Sequence, residues 1–320
     1  MTRPAQSKPR LLIASPHRYP DLARLWHRMV LRELVPAFEA LSLEVEVNIF
    51  RDANADQFHP GQFPGVHFTQ AGPFARDFME FYDATLAHDS DFILFMDSDT
   101  FFLDGEWPAA HFAAFQKDPR VAAISFVPRK GGIPAIFAQC CRVKTYRSLA
   151  PPIFACRYEF PHQWPHGANP QPGDVAVRTL TSLGHTIVNI GAEESRQHIA
   201  NFRSVTGIRA AREQISHAVG ERTFLRMAAD RGLVIAAYDN ALLACLYEKL
   251  FHEPFAADAT GTPLGGSLTW PELTSAVATI RDENLLADLR HRFALSRQNM
   301  LRLAAREGLT LDVPPLLGGN

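Results

Sequence analysis

From residue 10 to about residue 205, short continuous apolar runs alternate with stretches in which apolar residues recur every three or four positions. A short continuous run suits a strand covered on both faces of a parallel sheet. A three-to-four spacing gives a helix one apolar stripe to lay against that sheet. Residues 11–15 (Leu-Leu-Ile-Ala-Ser) predict a first strand that ends in a polar turn, Ser15-Pro16-His17-Arg18. Asp21 is placed to cap a helix carrying Leu22, Leu25, Trp26, Met29, Leu34, Phe38 and Leu41 at roughly helical spacing. Residues 45–50 alternate as a second strand, and 66–68 predict a short third one after a loop rich in Asp, Pro and Gly. Residues 74–88 have helical periodicity through Phe78, Phe81, Tyr82 and Leu86 and lead directly into the apolar run 92–96. Residues 121–127 form another apolar run. Strands alternating with helices predict an α/β sheet domain.

The pattern then changes. Residues 131–173 are dense in Pro, His and aromatics, including Phe154, Tyr158, Phe160 and Trp164, and read as an irregular, wall-forming stretch. After about residue 207 nothing resembles a strand except 233–236, and residues 209–307 read as amphipathic helices. A boundary near 205 therefore separates a domain over 1–205 from a helical extension over 206–320. The most apolar segment, 232–246, contains Asp239 and Asn240 and reads as a buried helix. No stretch reaches the roughly 20 apolar residues of a membrane helix.

Composition excludes some partners. A formal net charge of −2 supplies no basic field, so nucleic acid is not an expected partner. The polar start of the chain, with no apolar signal core behind it, predicts a cytoplasmic protein. Cys140, Cys141, Cys156 and Cys245 show no disulfide framework and suit buried, reduced thiols. A zinc site from Cys141, Cys156, His162 and His166 can be drawn, but Pro165 interrupts the His pair and there is no Cys-x-x-Cys.

The candidate chemistry begins at Asp97-Ser98-Asp99, at the end of the apolar run 92–96. Two carboxylates at i and i+2 share one side of an extended chain, which suits a hard divalent cation. Ligands of open α/β sheets bind outside the carboxyl ends of the strands, so the position fits a site. An acidic turn after a core strand is the plain alternative. Three further features stand in order along the chain. Arg76-Asp77 opens the preceding helix. Gly173-Asp174 opens a segment with Arg178, Gly184 and the strand-like Thr-Ile-Val-Asn-Ile. His198 comes next, with Ser204 six residues later.

At these residues, over about 10–205, the chain resembles the inverting GT-A glycosyltransferases of the family 2 type. The resemblance implies a GT-A (Rossmann-like) nucleotide-diphospho-sugar transferase core, here followed by the helical extension. It implies a nucleotide-sugar donor, with UDP-sugars foremost, and Mn²⁺ or Mg²⁺ bridging the diphosphate. A cation placed there would stabilise the charge that develops on the leaving phosphate. By that resemblance Asp99 is a metal ligand, and Asp97 contacts the ribose or completes the metal shell with Ser98 beside it. His198 is the third contact on the metal or β-phosphate, against the alternative of a satisfied surface histidine. Asp174 matches the general base that deprotonates an acceptor hydroxyl, although a helix-start Asp also suits a cap. The chain departs from the pattern at Gly173, where the family carries a first acid. Arg178, one turn on, suits a structural ion pair.

Ser15, His17 and Arg18 lie where such enzymes hold the nucleoside, Arg76 would approach the base or diphosphate, and Ser204 is the last donor contact. Trp164 and His166 are the candidates for an acceptor wall, since aromatic faces suit sugars. The acceptor class is a glycan, lipid or small molecule bearing a hydroxyl. The helical extension is read as an acceptor cover, a homodimer contact or a peripheral membrane contact.

Three rival readings compete with this one. A haloacid-dehalogenase-like phosphatase needs Asp-x-Asp-x-Thr, but Phe101 stands two after Asp99 and Thr100 is one position early. A sugar-phosphate nucleotidyltransferase normally opens with a Gly-rich basic loop, and Ser15-Pro16-His17-Arg18 has no glycine. A non-catalytic nucleotide-sugar-binding protein would have no need of the complete set Asp97, Asp99, Asp174 and His198.

Overall fold

A computed structural model of the chain describes residues 8–17, 19–51, 58–70, 78–128, 138–149, 173–202, 231–255 and 270–313. They belong to two units, Met1–Arg18 with Trp26–His198 and Tyr19–Leu25 with Ile199–Asn320. The α/β class with a helical C-terminal part, expected from the patterning, is the one observed.

Among the described residues the first unit is built on a seven-stranded sheet. Its strands are β1 (Arg10–His17), β2 (Glu44–Arg51), β3 (Val66–Gln70), β4 (Phe92–Met96), β6 (Val121–Ser125), β7 (Ala138–Arg142) and β8 (Thr186–Asn189), with β5 (Thr100–Phe102) outside it. The order is β3-β2-β1-β4-β7-β6-β8. Only β7 runs antiparallel, between β4 and β6. α1 (Pro20–Met29) is divided between the units at Leu25, and the helices wholly in this part are α2 (Val35–Glu39), α3 (Phe78–Leu86), α4 (Glu106–Lys117), α5 (Val143–Arg147), α6 (Asp174–Ser182) and α7 (Ala192–His198).

The sheet owes its place to strands that are apolar on both sides. All five residues of β4 are buried. Alternation sends Phe92 towards Phe112 and Phe115 of α4, with ring centroids 4.8 and 5.0 Å away. The opposite face sends Phe95 against Tyr82 of α3 at 4.9 Å. Ile93 and Phe95 join Leu12, Ala14, Cys141, Tyr146, Ala176 and Leu180 in one core cluster, so α3, α5 and α6 cover that face. Each such aromatic pair adds about 1 kcal/mol beyond the area it buries.

Two strands of the first unit are not among those the patterning predicts. β5 lies in a loop-like stretch, and β7 lies within the segment whose composition reads as irregular. β7 (Ala-Gln-Cys-Cys-Arg) has no β-branched residue to announce it; burial between β4 and β6 makes it a strand. Its buried amide is satisfied by the Tyr146 hydroxyl, which donates to Gln139 Oε1 at 3.1 Å. Cys140 and Cys141 are buried free thiols, as expected, and burial pushes both well above the usual thiol range. Cys156, His162 and His166 lie outside the described residues.

The first strand is longer than expected. It runs through Ser15, Pro16 and His17, which pair with Ile49, Phe50 and Arg51 of β2. Pairing with β4 extends only from Leu11 to Ala14, so Pro16 falls where β1 is bonded on one side, and its missing N–H is tolerated. The helix expected over 21–41 is interrupted by a π-turn, Val30–Leu34, in which the Val35 N–H reaches back to the Val30 carbonyl. Pro36 comes at once and cannot donate, and the wider turn seats it at the start of α2. Asp21 sits within the first turn of α1 and is not its cap.

In the second unit, β9 (Ile199–Asn201) is followed by α8 (Arg231–Phe251), α9 (Trp270–Ala278) and α10 (Glu283–Arg306). Residues 233–236, strand-like in sequence, are helical because they continue the apolar run of α8. Tyr238 of α8 packs on Phe293 of α10 at 4.3 Å. Arg292 donates to the buried Asp239 carboxylate at 3.2 Å and to the Asn201 carbonyl at 3.1 Å. Asp282 caps α10 by accepting from the Asn284 and Leu285 N–H groups. Among the described residues no helix is long and apolar enough to cross a membrane.

One contact ties the π-turn to the start of α4. A β-carbon on Gly105 would lie 1.7 Å from the Glu33 carbonyl oxygen. Gly105→Ala should therefore cost about 3 kcal/mol, the upper end of overpacking penalties. Gly61→Ala, with open space around it, should be near neutral. Thermal or urea unfolding of both variants checks this.

Candidate active site at the carboxyl edge of the sheet

β4 delivers Asp97, Ser98 and Asp99 to the carboxyl edge of the sheet. The Thr100 N–H donates to the Asp97 carbonyl at 3.2 Å, which folds these residues into a tight turn before β5. Asp97 and Ser98 are half-buried, and Asp99 is buried. Burial, and then the charge of Asp99, push the Asp97 carboxyl up to about 8. Burial, and then Asp97, also hold the Tyr82 phenol well above its usual range. A divalent cation beside Asp97 would favour its ionised form over the protonated one that burial and Asp99 favour. Carboxylate oxygens are ligands of the kind that suit Mn²⁺ or Mg²⁺. Among the described residues, however, no group of three or more His, Cys, Asp and Glu side chains stands ready as a metal cage. Asp97 and Asp99 could therefore contribute two oxygen ligands to a cation, not a complete cage.

His198 is placed elsewhere. Its Nδ1 pairs with Asp104 Oδ2 at 2.7 Å, and its ring stacks on Trp107 at 4.7 Å with planes 6° apart. The Trp107 backbone N–H donates to Asp104 Oδ1 at 2.9 Å, and its indole N–H donates to Glu194 at 2.8 Å. His111 Nε2 meets the same Glu194 oxygen at 3.0 Å. The Trp107 and His111 contacts hold the Glu194 carboxyl below its ordinary value. His198 is therefore part of a network between α4 and α7 and is not gathered with Asp97 and Asp99. Asp104 just ahead of a helix is the available sequence signal for half of this network; the stacking partner has none.

Asp174 opens α6, with Gly173 before it at φ +88°, a left-handed conformation natural to glycine. Gly173 is the capping residue and makes no side-chain cap bond, so Asp174 lies one position inside the helix. It is 5 % exposed. Because α6 precedes a strand parallel to β6, its N-terminus stands at the carboxyl edge of the sheet. Topology thus puts Asp174 on the same edge as Asp97 and Asp99. Ala176 and Leu180 hold α6 to the face that also carries Phe95.

Ser15 and His17 also reach this edge, on the strand next to β4, but alternation turns them to the other face. His17 packs on Trp26 of α1, with ring centroids 5.0 Å apart. Burial, and then nearby His27, lower its pKa to about 3, so the imidazole is neutral. The Ser15 hydroxyl and both His17 ring nitrogens are buried and have no hydrogen-bond partner among the described residues. Arg18, Arg76, Trp164, His166 and Ser204 lie outside the described residues.

No protein-family model and no curated protein sequence matches the chain. Among solved structures, one similar fold is a mannosyltransferase from Pyrobaculum calidifontis in complex with GDP-Man and Mn²⁺. It is 12 % identical, covers 94 % of this chain and 87 % of its own, and has a TM-score of 0.43. A second is S. aureus TarS 1–349, at 12 % identity, 93 % and 92 % coverage and a TM-score of 0.39. A third, a CMP:2-keto-3-deoxy-manno-octonic acid synthetase with CTP, is 10 % identical over 57 % of this chain and 89 % of its own, with a TM-score of 0.36. At such identities and scores these likenesses carry no functional weight, and function has to be argued from this chain's own residues.

Proposed function

We propose that the chain is a metal-dependent glycosyltransferase that moves a sugar, with inversion, from a nucleotide-diphosphate sugar to an acceptor hydroxyl. The observation that carries this reading is the Asp97–Asp99 turn at the carboxyl edge of the sheet, where two carboxylates oppose each other's ionisation. Asp97 and Asp99 would hold Mn²⁺ or Mg²⁺, and the cation supplies charge stabilisation to a departing diphosphate. Asp174, on the same edge at the start of α6, would take the acceptor proton. Ser98, between the two carboxylates in sequence, would contact the donor beside them.

The strand order of the sheet and the resemblance at residues 10–205 support a nucleotide-sugar donor; UDP-sugars are the first to try. Arg18, Arg76 and Ser204 for the donor, His198 at the metal or β-phosphate, and Trp164 and His166 for the acceptor stay in the proposal on the sequence resemblance; Ser15 and His17, buried on the face opposite Asp97, leave it. For His198 that role requires its Nε2 to be the ligand, because Nδ1 is engaged with Asp104. The rival activity, sugar-phosphate nucleotidyl transfer, would release pyrophosphate from a nucleoside triphosphate. Incubation with UDP-, GDP- and dTDP-sugars, with and without EDTA, separates the two by product. Turnover that survives EDTA ends the metal-clamp reading.

The raised Asp97 carboxyl sets a pH dependence. Without a cation, Asp97 keeps its proton well above the ordinary value of about 3.9, up to about 8. The folded chain therefore binds that proton more tightly than the unfolded chain does. Its contribution to stability is full in acid and is lost as pH rises through about 8. A cation must displace the proton, so Mn²⁺ affinity should rise by up to about tenfold per pH unit and level off above about 8. Titration calorimetry from about pH 6 to 9, a window spanning that value, reads this directly. A flat profile would remove Asp97 from the metal site.

Asp174→Asn should lower transfer by at least about a hundredfold, the lower end of general-base contributions. Binding of UDP with Mn²⁺ should stay within about twofold, because this base acts on the acceptor. Equal loss of donor binding would instead place Asp174 in the donor site or the fold. Retained anomeric configuration in the product would overturn inversion.

A further inference from the structure

The seam between the end of α1, its π-turn and the carboxyl ends of β1 and β4 holds an unusual concentration of unsatisfied polar atoms. Ser15, His17, Trp26 and Thr100 are each at least 98 % buried. Among the described residues, the Ser15 hydroxyl, both His17 nitrogens, the Trp26 indole nitrogen and the Thr100 hydroxyl have no hydrogen-bond partner. Buried polar side chains are nearly always paired. Trp26 and Thr100 line one small cavity together with Met29, Val30, Leu34, Met96, Phe101 and Phe102. That cavity has no room for a water molecule, so solvent does not satisfy the two groups.

The cavity walls join the carboxylate turn to the π-turn. Met96 and Thr100 flank the Asp97–Asp99 turn on either side, while Val30 and Leu34 belong to the π-turn. A π-turn carries one more residue per turn than an α-helix needs, and it can pass that surplus along the helix. Its far end is pinned, because the Glu33 carbonyl occupies the space beside Gly105. Any shift is therefore taken up between Trp26 and Val30.

We propose that this seam has a second arrangement, in which the Trp26 indole N–H donates to the Thr100 hydroxyl, and that it is adopted when cation and nucleoside diphosphate occupy the Asp97–Asp99 turn. Trp26 and Thr100 are positioning residues: they act on the ligand through the carboxylate turn and do not touch it. A bond absent from the free protein and formed with ligand favours the bound state. The inference rests on the diphosphate-clamp reading of Asp97 and Asp99.

Thr100→Val tests it, because valine keeps the shape and removes the hydroxyl. In the free protein this variant should melt at a higher temperature, since an unsatisfied buried oxygen is gone. Its affinity for Mn²⁺ with UDP or GDP, whichever binds the wild-type chain more tightly, should fall about tenfold, the equivalent of one hydrogen bond. The Trp26 indole proton resonance, assigned by its absence in Trp26→Phe, should move downfield when ligand is added to the wild type and stay in place in Thr100→Val. Undiminished ligand affinity in Thr100→Val overturns the inference alone, and so does a lowered melting temperature, which would mean the hydroxyl is already paired. A wild-type chain that binds neither nucleotide with Mn²⁺ overturns the clamp reading and this inference with it.

Discussion

The burial of β4 on both faces is the constraint on which the first unit depends. Phe92 is locked against α4 and Phe95 against α3, so the strand can neither slide by one residue nor tilt without exposing an aromatic ring. A one-residue slip would also exchange the faces of everything downstream. Because the strand cannot slip, the first polar residues after it emerge at a fixed place on the carboxyl edge, and they are Asp97, Ser98 and Asp99. The apolar run thus positions two charges that would not otherwise choose to be neighbours.

Those charges then define the local electrostatics. Asp97 lies on the α3 side of the sheet and raises the Tyr82 phenol, while Asp99 raises Asp97 in turn. On the other side, Ser15, His17, Trp26 and Thr100 bury neutral polar groups that have no hydrogen-bond partner among the described residues. The two faces of one strand end therefore have different characters. One gathers carboxylates, and the other gathers buried neutral polar groups. Both meet at the same turn, and α6 brings Asp174 to the same edge from a distant part of the sequence.

The parts legible in the sequence are those set by local pattern. The run 92–96, the helix opening at Asp174 and the strand after it can be read because burial on two faces, or a stripe at helical spacing, leaves a direct imprint on residue type. β7 cannot be read, since Ala-Gln-Cys-Cys-Arg becomes a strand through its neighbours β4 and β6 and not through its own preferences. The polar turn expected at Ser15-Pro16-His17 is a strand because β2 continues to pair with it. The π-turn before Pro36 is visible beforehand only as a proline inside a helical pattern.

Residue order alone specifies the chemistry on offer: an α/β succession of elements, a carboxylate pair at the end of a core strand and an acid at a helix start. Which of these groups meet is a matter of three-dimensional packing. It put Asp174 on the edge that carries Asp97 and Asp99, turned Ser15 and His17 to the opposite face, and gave His198 to Asp104 and Trp107. The reason is geometric. Residue type and spacing specify which face of its own element a side chain occupies, but the facing partner is set by strand order and helix packing, which join positions far apart in the chain.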